Sequence, residues 1–166
     1  MPVTINLNNV QTKLFRSITT TPSATLTGTF TETQLLQITI QPNSLSSDEL
    51  LDLVFTTIRS ANNANITVRF KMSTSGTMPL GTSGQIGIVN HSINNGWLKV
   101  RRKIKIQGGN LIILGTTTSL TNDDGLSNLA VSSIAFDNTV TNYFYVSALL
   151  GNTSDSIYLL DNSIRN

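Results

Sequence analysis

Residues 66–73, ITVRFKMS, alternate without a break: Ile66, Val68, Phe70 and Met72 fall on one side, Thr67, Arg69 and Lys71 on the other. A period of two is that of a β-strand with one buried face, whereas a helix would repeat its apolar positions at three and four. The same period, rich in β-branched residues, runs through 24–30, 34–40, 50–59, 85–91, 97–107, 111–119, 129–136, 143–150 and 157–164. Clusters of Gly, Pro, Asn and Ser punctuate it about every ten residues. Val10, Leu14 and Ile18 fall at helical spacing, but no segment reads as a long helix, and the residues that favour helices are scarce. Charged residues make up 12% of the chain, against about a quarter in an average domain. Thr, Ser and Asn take their place, at 60 of 166 residues. The expectation is an all-β protein: an antiparallel β-sandwich of jelly-roll type with about eight or nine strands.

The turns refine this picture. Pro42 cannot donate to a central ladder, so 41–44 breaks the pattern. The longer stretches 41–49 and 74–84 are expected to cross between two sheets. Asn95-Gly96 is a strong turn signal ahead of the strand at 97–107. Gly108-Gly109-Asn110 is expected to close a hairpin between 97–107 and 111–119. Residues 1–22 form a separate unit ahead of the domain at 23–166. Val3, Ile5, Leu7, Val10, Leu14 and Phe15 supply its apolar side chains. Thr19-Thr20-Thr21-Pro22 would end any helix begun there. The unit reads either as a first strand with a loop or as an arm that attaches to another protein.

Several strands depart from strict alternation. Leu35-Leu36, Leu50-Leu51, Leu53-Val54-Phe55, Leu111 to Leu114, Leu149-Leu150 and Leu159-Leu160 put aliphatic groups on both faces. Each such side chain left in water forgoes roughly 1.5–3 kcal/mol. The pattern predicts a homo-oligomer that covers an outer sheet face, unless loops of the same subunit do so.

The chemistry-bearing residues are few. With no cysteine there is no disulfide, zinc-thiolate site or catalytic thiol. His91 is the single histidine, and Asn90-His91-Ser92 bears no resemblance to a nucleophile elbow. Asn122-Asp123-Asp124-Gly125 and Asp48-Glu49 read as turns, because neither has the further spaced oxygens that calcium needs. No catalytic residue, metal or cofactor is expected. Lys99, Arg101, Lys103 and Lys105 form a basic stripe on one face of 97–107, opposite Leu98, Val100, Ile104 and Ile106. The stripe reads as a solvated face or as a surface for an acidic partner. Arg102 falls on the apolar side, which calls for a bulge or a buried ion pair. A net charge of +2 and the lack of interleaved aromatic residues argue against nucleic acid. Trp97, the only tryptophan, reads either as a core anchor or as a platform for a sugar. No run approaches the ~18 apolar residues of a membrane span, and Met1 to Leu7 lacks the pattern of a signal peptide. Synthesis in the cytoplasm is therefore expected, with no membrane partner.

One stretch carries a family resemblance. Thr27-Gly28-Thr29-Phe30-Thr31-Glu32-Thr33 leads into Ile38-Thr39-Ile40-Gln41-Pro42-Asn43-Ser44-Leu45. Asp48, Leu50, Leu53 and then Thr67-Val68-Arg69-Phe70-Lys71 follow. Together with Asn95-Gly96-Trp97 and the closing strand near Ser156-Ile157, this resembles single-jelly-roll structural proteins of tailed-bacteriophage virions, over about 23–166. The resemblance implies a non-enzymatic, homotrimeric head fibre or capsid decoration on the outside of a virion. Its partners would be further copies of itself and capsid or other virion proteins. A tail-fibre or baseplate receptor-binding module and a free carbohydrate-binding module are the alternatives. In the last of these, Trp97 or loop tyrosines would contact a glycan, and a host-surface glycan would be the partner. The resemblance supplies no catalytic or ligand-binding residues.

Overall fold

The computed structural model describes residues 16–19, 22–113 and 132–165. The described chain is all-β and forms a sandwich of two antiparallel sheets. In chain order the strands are β1 (Arg16–Thr19), β2 (Leu26–Thr27), β3 (Thr33–Ile40), β4 (Leu50–Ser60), β5 (Ile66–Ser73) and β6 (Gln85–His91). They continue with β7 (Trp97–Gln107), β8 (Asn110–Ile113), β9 (Ser132–Ala135), β10 (Asn142–Leu149) and β11 (Ser156–Arg165). The larger sheet runs β1-β11-β4-β7-β8-β9, with β2 also paired to β11; the smaller runs β3-β10-β5-β6.

Period two does what it promises in the middle of both sheets. Ile66, Val68, Phe70 and Met72 of β5 point inward, as do Leu51, Leu53 and Phe55 of β4. Phe55 and Phe70 meet edge to face between the sheets, with ring centroids 4.8 Å apart. Arg102 is buried opposite Leu53 in an unbroken β4–β7 register, so β7 has no bulge there. Room for it comes from Gly87 on the facing sheet. A Cβ at Gly87 would overlap the Phe70 ring and stand 3.5 Å from the Arg102 Nε.

The stretch 41–49 passes from the smaller sheet to the larger, as expected. The stretch 74–84 does not cross. β5 and β6 are hydrogen-bonded neighbours in the smaller sheet, so 74–84 is a long hairpin loop. Instead of spanning the sandwich it folds back over the outer face of its own sheet. The Tyr145 hydroxyl donates to Ser75 O at 2.6 Å, and Lys71 Nζ donates to Pro79 O at 2.6 Å. Glu32 holds the loop from the other side: it accepts from Gly81 N (2.8 Å) and from Ser147 Oγ (2.6 Å), and it pairs with Lys71 Nζ (2.6 Å). Lys71, Tyr145 and Ser147 are therefore buried although they lie on the outward side of their strands. Burial raises the cost of ionising Glu32, but Lys71, Ser147 and the Gly81 N–H outweigh that cost and hold its pKa below the usual value of 4.5.

The larger sheet has no such roof among the described residues. On the smaller-sheet side Leu150 is a core residue and Leu35 and Leu36 pack against the core; in the larger sheet Leu51, Leu53, Phe55, Leu111, Ile113 and Leu159 are core residues. Their outward neighbours Val54, Ile112 and Leu160 are half-buried, and Leu50 is 50% exposed.

Candidate functional site

The outer face of the larger sheet carries a cross-strand row of large side chains near one end. Trp97 opposes Ile58 on β4, and Ile58 opposes Tyr158 on β11. Directly opposed residues in an antiparallel pair stand about 4.5–5.5 Å apart at Cβ, so the three form one ridge. Trp97 is 64% exposed, which overturns its reading as a core anchor. The phase of β7 explains why. Trp97 is in step with Lys99, Arg101, Lys103 and Lys105, and out of step with the inward-facing Val100, Ile104 and Ile106. Beside the ring lies an open cleft of about 720 Å³, lined among the described residues by Asn94, Asn95, Gly96, Trp97, Leu98, Lys99 and Arg101.

The turn that carries Trp97 is held from beneath. It joins β6 of the smaller sheet to β7 of the larger, so Asn95-Gly96 makes a bend between sheets. His91 is buried and its Nε2 lies 2.8 Å from Asn95 O, so that nitrogen donates. Its Nδ1, 3.1 Å from Thr57 Oγ1, then accepts from the hydroxyl. Arg59 N donates to Gly96 O at 3.0 Å, and Ile93 N donates to Asn65 Oδ1 at 3.1 Å. The Arg59 guanidinium donates to the carbonyls of Ala61, Ala64 and His91 and pairs with Asp155 at 3.1 Å. Asp155 also accepts from Asn63 N and Ala64 N, each at 3.0 Å. Burial disfavours the Asp155 carboxylate, yet these N–H groups and Arg59 outweigh it and keep its pKa below 3.8.

His91 is thus a structural tie. Burial, with the nearby Arg59 charge, pushes its pKa below 6.5 against the pull of its bond to Asn95. The unfolded chain takes up a proton near pH 6.5, while the folded chain resists until lower pH. Stability contributed by neutral His91 is therefore complete above about pH 6.5 and falls as the pH drops below it. Denaturant midpoints measured at pH 7 and pH 5.5 should differ in the wild type, and the difference should shrink in His91→Gln. An equal difference in both would remove His91 from the account.

The basic stripe is on the outer face, as the alternation indicates, but it is partly neutralised within the chain. Arg101 forks onto Asp52 at 2.9 and 3.1 Å, and Arg165 approaches the same carboxylate at 3.5 Å. Lys105 lies 3.5 Å from Asp48. Lys99, beside the cleft, has no carboxylate within ion-pair distance among the described residues. The candidate attachment residues Val3, Ile5, Leu7, Val10, Leu14 and Phe15, and the turn at 122–125, lie outside the described residues. Residues 16–19 pair with β11 from Arg16↔Arg165 to Thr19↔Asn162. Among the described residues no three His, Asp or Glu side chains gather as a metal site, and no helix is long and apolar enough to cross a membrane.

Sequence reasoning missed the Arg59–Asp155 pair, although one signal was available. Arg59 is in phase with Leu51, Leu53 and Phe55, so the alternation alone points it inward.

No protein-family model matches this chain, and no curated protein matches it significantly. Among the solved structures similar to it is the CBM2 module of Lactobacillus casei BL23 phage J-1 evolved Dit. The two share 13% identity with a TM-score of 0.38, over 78% of this chain and 67% of that one.

Proposed function

We propose that this chain is a non-enzymatic structural module of a bacteriophage virion. It assembles as a homotrimer on the outside of the particle, as a head fibre or capsid decoration, held by the segment that precedes β1. The observation that carries the reading is the unequal treatment of the two outer faces. The smaller sheet is roofed by 74–84, while the larger presents Leu50, Val54, Ile112 and Leu160, away from the Trp97 row, with no cover among the described residues. Apolar groups left half-buried or exposed on one outer face suit contacts with further copies. The sequence resemblance over 23–166 supplies the virion context. Glu32, Lys71, Arg59, Asp155 and His91 are spent on holding loops.

Native mass spectrometry should give three times the 18.0 kDa chain mass. A clean monomer at micromolar concentration would overturn the trimer. Deleting residues 1–15, which spares β1, should abolish incorporation into particles while leaving the folded trimer intact. Unchanged incorporation would count against the attachment role. Imaging of labelled particles separates a capsid position from the alternative, a tail or baseplate receptor-binding module.

A further inference from the structure

We infer that the cleft beside Trp97 is a saccharide-binding site selective for sugars that bear an acidic group. Three observations converge on it. The first is the platform. A tryptophan 64% exposed on an outer sheet face, in a row with Ile58 and Tyr158, offers an apolar surface of the kind that takes the C–H face of a pyranose. The second is the polar lining. Asn94 and Asn95 bring amide groups that both donate and accept, which suits sugar hydroxyls. The third is charge. Lys99 lies two residues from Trp97 on the same face of β7, about 7 Å along the strand, and has no carboxylate partner among the described residues. Arg101 is held by Asp52, so Lys99 is the cation left to meet a ligand carboxylate or sulfate.

The site is also rigid in advance. His91, Arg59 and Asn65 fix the 92–96 turn from below, so little ordering remains to be done when a ligand arrives. The inference does not depend on trimerisation or on a virion. A second copy seated on this ridge is the competing occupant, and it is distinguishable because Trp97 is the only tryptophan in the chain.

The test uses the full chain on an array of acidic and neutral glycans, followed by fluorescence titration with the strongest acidic glycan and its neutral counterpart (for instance sialyllactose and lactose). The acidic member should change Trp97 emission and bind more tightly than the neutral one. Raising the salt concentration should weaken the acidic member selectively. In Trp97→Ala, followed by NMR or calorimetry, affinity should fall about tenfold or more. In Lys99→Gln, the acidic ligand should lose about two- to fivefold and the neutral ligand nothing. Trp97→Phe, which keeps a ring, should restore part of the binding lost in the alanine variant. Capture no better than that of Trp97→Ala overturns the site. Equal binding of both members, untouched by Lys99→Gln, overturns the selectivity. Trp97 emission that is shielded from acrylamide in a concentration-dependent way without sugar assigns the ridge to a second copy and also overturns it.

Discussion

Replacing Asp155 with alanine should cost about 3–5 kcal/mol of folding stability, the usual cost of stripping one partner from a buried ion pair. Asp155 and Arg59 have fully buried side chains, and the carboxylate gathers Asn63 N, Ala64 N and the Asn63 amide as well as the guanidinium. Its loss leaves Arg59 charged, buried and facing only carbonyls. The 61–65 turn loses its staple at the same time. Arg59→Met with Asp155→Leu should recover much of the loss, because a pair replaced by packed apolar groups no longer strands a charge. Since the folded-state pKa of Asp155 lies below 3.8, its contribution is complete above that pH and is lost as the pH falls through the folded value. Urea unfolding at pH 7 would measure the single variant, and a cost below about 1 kcal/mol would show that the pair is dispensable. The Trp97 turn should loosen too, because Arg59 holds Gly96 and His91 through the same residue.

Lys71→Ala should have an effect of similar size, about 3–5 kcal/mol, with a different local signature. Lys71 Nζ sits between Glu32 and Pro79 O, fully buried beneath the 74–84 loop. Without it Glu32 keeps Ser147, Gly81 N and the longer contact to Arg69 at 3.6 Å, but loses its main counter-charge. The loop should lift from the sheet before the sandwich unfolds. Limited proteolysis should then cut within 74–84 while both sheets stay protected from hydrogen exchange. Lys71→Met combined with Glu32→Gln should restore part of the stability, and the shortfall from additivity gives the coupling energy. Loop protection equal to wild type in Lys71→Ala would dismiss the clamp.

The strands were legible because burial on one face imposes a period that survives in the letters. The limits read for 66–73, 85–91 and 97–107 match β5, β6 and β7 residue for residue. What the loops do was not legible. Nothing in Gly/Ser/Thr-rich 74–84 says whether it spans two sheets or lies flat on one. That choice depends on Lys71, Tyr145 and Glu32, which meet the loop only in three dimensions. The outward placement of Trp97 was there to be read from its phase with Lys99 and Arg101, and it was obscured by the general habit of tryptophan to be buried. Arg59 was equally legible by phase. The identity of its partner was not, because Asp155 lies 96 residues away in sequence.

The pairing of β1 with β11 gives the molecule a polarity. Arg16 lies opposite Arg165, so β1 begins at the end of the sheet where β11 finishes. Tyr158, in the row with Trp97, stands seven residues back along the same strand. At about 3.3 Å per residue, the ridge is roughly 20 Å from that end, toward the opposite rim. A tether fixed at the Arg16 corner would act as a stalk, with the indole at the far tip. Anchorage and reach would then be set by the register of a single four-residue strand, and shifting that register would re-aim the tip without altering a residue in it.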